Sequence, residues 1–292
     1  METISHWLKI ATAGLASTSE TPALDAQVLL AHILGKPRSW LLVYPEAELT
    51  PTQERQLQRA IQRLRDGEPL PYILGHWEFF GLDFIITPAV LIPRPETELL
   101  VEQALDWLRS NPTARCAADI GAGSGCIAVS LAVFIPDLHL LATDISLAAL
   151  QIARQNAQRH EVSDRIDFLQ ADLLGPLNVS GWFLSAKRST FNLIAANLPY
   201  IPSGTLQELA VYGHEPSLAL DGGPDGLGQI RQLLANAPRI LAPGGLLLLE
   251  IEYQQGPVAK ILAQDAFPYS KVSILPDLAG HDRVVRIETK GL

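Results

Sequence analysis

The stretch IAANLPYIPS, residues 194–203, breaks off an apolar run at Asn197. Proline cannot donate to a strand ladder, so Pro199 marks the end of a strand. A carboxamide and an aromatic ring beside that stop are unusual for a simple turn, which favours Gly, Asp, Asn and Ser near proline. A second cluster lies upstream, in ADIGAGSGCIAVSLA. There a strand ends at Asp119-Ile120. Gly121, Ala122, Gly123, Ser124 and Gly125 form a turn, and a helix begins. Glycines permit positive φ and let a ligand approach the backbone. The helix N-terminus offers unpaired N–H groups. Asp144 ends the next strand about twenty residues on, where an acid reaches a ribose hydroxyl pair. Its alternative role is to cap the helix of DISLAAL. Asp172 follows the third strand at the same sheet edge. It is placed either to accept from an adenine amino group, with Leu173 packed on the ring, or simply to end its strand.

The elements that must carry these residues follow from periodicity. SHWLKIATAGLA, TPALDAQVLLAHILG and LTPTQERQLQRAIQRLRDG repeat apolar residues at helical intervals. Thr21-Pro22 and Thr50-Pro51 read as helix starts, and Gly35 and Gly67 as helix ends. Residues 1–67 therefore form a small helical domain. Residues 68–93, rich in proline and aromatics, read as a connector, with HWEFFGLDFII and AVLIP as a β-hairpin. Residues 94–292 form the third region. A helix starts near Glu96 or Thr97, and from Arg115 strands and helices alternate. The expected strands are CAADIGAG, which ends in glycines, LHLLATDIS, RIDFLQADL, FNLIAANLPY, GLLLLEIE, KVSILPD and DRVVRIET. GLGQIRQLLANAPRIL is a helix stopped by Pro243-Gly244-Gly245. Alternation of this kind means an α/β fold, a doubly wound and mostly parallel sheet. The last two strands lack a helix between them, so one runs antiparallel. In such a sheet Asn197, ending the fourth strand, lies beside the glycine turn at the switch point where ligands bind. DLLGPLNVSGWFLSAKRSTFNLI, between the third and fourth strands, reads as a surface insertion spanning about residues 173–191.

Composition narrows the class. No run reaches the eighteen or so apolar residues of a membrane helix. The start METISHWLKIATAG lacks the basic and apolar regions of a signal peptide, so a cytoplasmic protein is expected. The two cysteines, Cys116 and Cys126, read as small buried hydrophobes, and no Cys/His cluster has zinc spacing. The net charge of −9 argues against a partner that is a phosphate backbone. Arg55, Arg59, Arg63 and Arg65 fall at helical spacing and read as a solvated face.

Two resemblances carry function. Gly-x-Gly-x-Gly with Asp144 after the next strand resembles S-adenosylmethionine-dependent methyltransferases, which implies their seven-stranded fold and that cofactor. Asn197-Leu198-Pro199-Tyr200 resembles the Asn/Asp-Pro-Pro-Tyr of methyltransferases acting on amide or exocyclic amino nitrogens, with leucine where the pattern has proline. A planar –NH2 group is a poor nucleophile. Two acceptors, the Asn197 side-chain oxygen and the Leu198 carbonyl, would orient it and draw out its lone pair, while Tyr200 stacks against it.

The segment from Glu68 to Glu102, together with HEPSLALDGGPDGLGQIRQLL, resembles the HemK/PrmC family of peptide chain release factor glutamine methyltransferases. That resemblance spans nearly the whole chain. It implies methyl transfer to the glutamine of the release factors' Gly-Gly-Gln loop. The helical domain would help hold the release factor. Gly121 to Gly125, Asp144, Asp172, Leu173 and Asn197 would line the cofactor, and Asn197, Leu198, Pro199 and Tyr200 would grip the substrate and carry catalysis. Arg94, Glu96 and Glu98 either shape the cleft or only cap and pair. His214 and Glu215 either line the peptide channel or lie in a solvated loop. Gly222, Gly223 and Gly226 serve backbone needs. No metal, membrane or direct nucleic-acid partner is expected, and the chain is expected to be a monomer. The competing readings are a nucleic-acid amino-group methyltransferase and a non-catalytic cofactor-binding module.

Overall fold

The computed structural model describes residues 2–173 and 190–291. Its contacts divide into two units, Met1–His76 and Trp77–Leu292. The first contains five helices: α1 (Ile4–Leu15), α2 (Pro22–Leu34), α3 (Arg38–Val43), α4 (Pro51–Arg65) and α5 (Leu70–Leu74). Thr50 closes a capping box with Gln53 at the head of α4. Thr21 makes no cap bond, and its hydroxyl turns instead to Asp25 at 3.3 Å. Gly35 ends α2 at φ +61°. Ile4, Leu15, Leu29, Leu30 and Leu57 are fully buried and form the centre of this unit.

A two-stranded hairpin joins β1 (His76–Phe79) to β2 (Leu82–Ile85). Phe80 at φ +53° and Gly81 at φ +73° make its turn, as a tight hairpin requires. Both strands thus lie within HWEFFGLDFII. AVLIP, expected to belong to the hairpin, carries no strand. Pro88 and Pro93 bracket it and remove ladder donors.

The helix α6 (Thr97–Ser110) leads into a seven-stranded sheet. Its strands are β3 (Cys116–Ile120), β4 (His139–Asp144), β5 (Ile166–Gln170), β6 (Phe191–Ala196), β7 (Leu241–Glu250), β8 (Lys271–Pro276) and β9 (Asp282–Glu288). They lie in the order β5-β4-β3-β6-β7-β9-β8, with β9 antiparallel to both neighbours and the rest parallel. Every residue of β3 is buried, as a central strand covered on both faces must be. The helix after Gly226 runs only over Gly228–Asn236, because Pro238 cuts it short. Pro243-Gly244-Gly245, expected to precede the strand, instead lie inside β7, where the pairing with β6 slips register. The expected surface insertion falls almost wholly outside the described residues. No helix among those described is long and apolar enough to cross a membrane.

Winding reverses between β3 and β6, which creates the switch point. Ile120 pairs with Thr143 on one side and Ala196 on the other. The next residue of each strand is Gly121, Asp144 or Asn197. Register alone therefore gathers these three at one edge.

Candidate active site

The glycine turn leads from β3 into α7 (Cys126–Phe134) with Gly121, Gly123 and Gly125 at φ +76°, +55° and +79°. The glycines serve different ends. A Cβ on Gly125 would lie 3.0 Å from the Ala153 Cβ in α8 (Leu147–Arg159), so this glycine lets two helices approach. A Cβ on Gly123 would meet nothing within 4 Å, so this glycine opens the backbone to the cleft. The side chain of Asn156, fully buried in α8, donates to the Ser124 carbonyl at 2.9 Å and braces the turn.

Asp144 is partly buried. It accepts from Gly123 N and Ser146 N, both at 2.8 Å. Burial pushes its carboxyl above the ordinary range, and backbone donors at Ser146, Gly123 and Ile145 pull the other way. The cap of α8 falls to Ser146, whose hydroxyl accepts from Ala149 N. Asp172 is exposed, while Leu173 is buried at φ +50° with its carbonyl bonded to the Thr143 hydroxyl.

One cleft of about 1100 Å³ is lined by Gly121, Ala122, Gly123, Ser124, Asp144, Asp172, Leu173, Asn197, Leu198 and Pro199. Gly125 and Tyr200 are not part of that lining. A second cavity of about 520 Å³ takes Tyr200, Ile201, Leu209 and Val211 into its wall. The two share Leu91, Arg94, Asn197, Leu198 and Ala219. Asn197-Leu198 is therefore the sill between two mostly apolar cavities.

The sill is held from several sides. Asn197 Nδ2 donates to the Thr97 hydroxyl at 3.0 Å. Its Oδ1 and the Leu198 carbonyl accept from no donor among the described residues. The Leu198 side chain is only 2% exposed and packs over Gly121. Gln255 Nε2 donates to the Tyr200 carbonyl at 2.9 Å. Ile201 and Gly222 exchange backbone bonds with Leu220 and Ile201. The Tyr200 hydroxyl reaches Glu250 at 3.4 Å, and its own pKa is raised by burial and by that carboxylate.

Arg94 lines both cavities and pairs with Glu215, which also accepts from Ile92 N at 3.1 Å. Glu215 is buried, whereas His214 is exposed. Glu96 is exposed at the N-cap of α6, and Glu98 accepts from Phe80 N at 2.9 Å. Of the RPETE acids, neither lines the two cavities. Sequence reasoning passed over Thr97 as more than a helix start, and over Asn156, Glu250 and Gln255 altogether. A lone acid closing the apolar run GLLLLE was the available signal for Glu250.

A doubly wound sheet with a glycine turn, an acid and a carboxamide at its switch point defines an α/β methyltransferase, a class whose methyl donor is S-adenosylmethionine. Residues 96–200 match the family model described as Methyltransferase small domain, and residues 6–75 that described as PrmC N-terminal domain. The chain is 46% identical over 266 residues to a release factor glutamine methyltransferase of Moorella thermoacetica, covering 90% of each chain. It is 41% identical to one of Coxiella burnetii, covering 93% of each. A solved methyltransferase from Pyrococcus furiosus shares the fold at 18% identity and a TM-score of 0.50, over 83% of this chain and all of that one. The chain belongs to the release factor glutamine methyltransferase family.

Proposed function

We propose that this protein transfers a methyl group to the side-chain amide nitrogen of the glutamine in the Gly-Gly-Gln loop of peptide chain release factors. The observation that carries the reading is the sill. Two acceptors without donors among the described residues, Asn197 Oδ1 and the Leu198 carbonyl, stand where two cavities meet. The cleft's residues fit the methyl donor. Gly123 leaves its Cβ position open, Asp144 offers remaining lone pairs to ribose hydroxyls, and Leu173 gives an apolar wall. When bound, S-adenosylmethionine supplies a methyl on a sulfonium sulfur, and that sulfur keeps the C–S electron pair as the N–C bond forms.

The chain's own groups act on the amide. Asn197 Oδ1 and the Leu198 carbonyl take one N–H each, which orients the nitrogen and localises its lone pair. The apolar second cavity admits the aliphatic stem of glutamine, and the Tyr200 ring flanks the planar group. Positioning supplies much of the rate. After transfer the nitrogen is acidic and sheds its extra proton to water, so no strong base is required. Leucine in place of proline at 198 keeps the carbonyl, and its packing on Gly121 replaces the stiffness of the ring. The helical unit would help to hold the release factor.

The test is mass spectrometry of a release factor incubated with the protein and S-adenosylmethionine. One methyl on the Gly-Gly-Gln glutamine is expected. Label appearing only in nucleic acid, or cofactor binding with no transfer to any release factor, would overturn the proposal.

A further inference from the structure

Beneath the sill lies a polar cluster that the proposed chemistry does not itself use. Parallel pairing sets Ala196 against Leu249, so the next residues, Asn197 and Glu250, emerge side by side from β6 and β7. Glu250 is fully buried, and its Oε2 has no hydrogen-bond partner among the described residues. Thr97, the first residue of α6, is 2% exposed and accepts from Asn197 Nδ2 at 3.0 Å. The Tyr200 hydroxyl reaches Glu250 Oε1 at 3.4 Å. The Tyr200 hydroxyl and the strand neighbour Asn197 thus flank one buried acid.

The donor count fixes what this cluster can do. A hydroxyl that accepts from Asn197 still has its own proton to place. The acid beside it is Glu250, whose ionised form the Thr97 hydroxyl favours. When ionised, Glu250 only accepts, so the Thr97 proton turns to Glu250 and its lone pair to Asn197. That polarity admits one orientation of the carboxamide. Nδ2 faces Thr97, and Oδ1 faces the cavities. The reversed carboxamide would set oxygen against the Thr97 lone pair and present –NH2 to a substrate that itself offers –NH2.

We propose that Thr97 and Glu250 are positioning residues, a buried relay that fixes the Asn197 side-chain oxygen toward the acceptor amide. The proposal rests on the reading of Asn197 as an acceptor for the substrate –NH2 group. Burial pushes the Glu250 carboxyl up to about 7, against the pull of the Thr97 hydroxyl, so the fold keeps an acid here at a cost. An apolar residue would have avoided it. Tyr200 is tied to the same acid, so one group orients both flanks of the sill.

The experiment compares three variants of the full chain, with kcat and KM measured on a release factor and cofactor affinity measured by titration. Thr97→Val keeps the shape of the side chain and removes the hydroxyl. It should lower kcat by about 10- to 100-fold, with cofactor affinity and the KM for release factor near those of the parent. Thr97→Ser restores the hydroxyl and should recover most of the rate. Asn197→Ala separates the two readings. If it abolishes turnover while Thr97→Val turns over like the parent, the relay is wrong and the site stands. If Asn197→Ala is itself active, both fall. Loss of cofactor affinity in Thr97→Val with no recovery in Thr97→Ser would mark Thr97 as merely structural and overturn the relay.

Discussion

The Asp144 carboxylate stands at the meeting of two demands. Each oxygen accepts one backbone N–H at 2.8 Å, from Gly123 and from Ser146. Each keeps a second lone pair, and those are what a ribose diol would use. The side chain therefore shapes the glycine turn and faces the cleft at once. Asp144→Ala removes both functions. It should weaken S-adenosylmethionine binding by about 1–3 kcal/mol, the scale of a lost hydrogen bond to a charged group. Isothermal titration reads that directly, and kcat at saturating cofactor should change far less. Equal affinity in the variant would remove Asp144 from the cofactor site. Burial also raises the Asp144 pKa, so the same affinity should fall as acidification protonates the acceptor.

At the scale of elements, the sill depends on a loop whose glycine backbone packs against it. A Cβ on Gly226 would stand 2.2 Å from the Tyr200 carbonyl, and Gly226 has φ +73°. A Cβ on Gly222 would stand 2.7 Å from the Pro199 carbonyl. Gly226→Ala must therefore push the 199–201 backbone aside and adopt a strained dihedral. It should cost at least about 2 kcal/mol in unfolding free energy and depress kcat. Gly123→Ala meets no atom and should cost only about 1 kcal/mol, with its loss appearing in cofactor affinity. Urea unfolding and titration on both variants check the contrast; similar stability losses would refute it. These glycines also show what periodicity could reveal. Alternating strands and helices announced the sheet, and Gly-x-Gly-x-Gly with Asp144 announced the switch point. That Gly125 serves helix packing while Gly123 faces the cleft depends on a neighbour in α8, which no local spacing encodes. The same holds for Thr97, which lies 100 residues from Asn197 and meets it only through the fold. Pro243-Gly244-Gly245 misled because a bulge inside a strand and a helix stop share the same residues.

For the molecule as a whole, two fully buried acids contribute strongly to the pH dependence of stability. Asp119 is fully buried with Oδ1 unpartnered, and burial pushes its carboxyl to about 7. Glu250 is held at about 7 for the same reason. In the unfolded chain both would titrate near the ordinary carboxyl value of about 4. Between these values the folded state binds more protons, so its stability falls as pH rises, by at most about 1.4 kcal/mol per pH unit for each group. Above the folded value both states are ionised and the slope vanishes. Carboxylates paired at the surface act in the opposite sense and lower down. Asp225, bonded to Arg231, is pulled to about 2 and supports the fold until acid protonates it. Net charge also favours opening as pH rises, since the chain carries −9 at neutrality. Asp119→Asn isolates the buried term, because general repulsion is nearly common to parent and variant. Urea unfolding without cofactor between pH 5 and 8 should show parent stability declining with pH, and the variant declining less steeply, with Glu250 and Asp144 remaining. Parallel curves would mean that Asp119 is ionised throughout that range and that burial does not hold its proton.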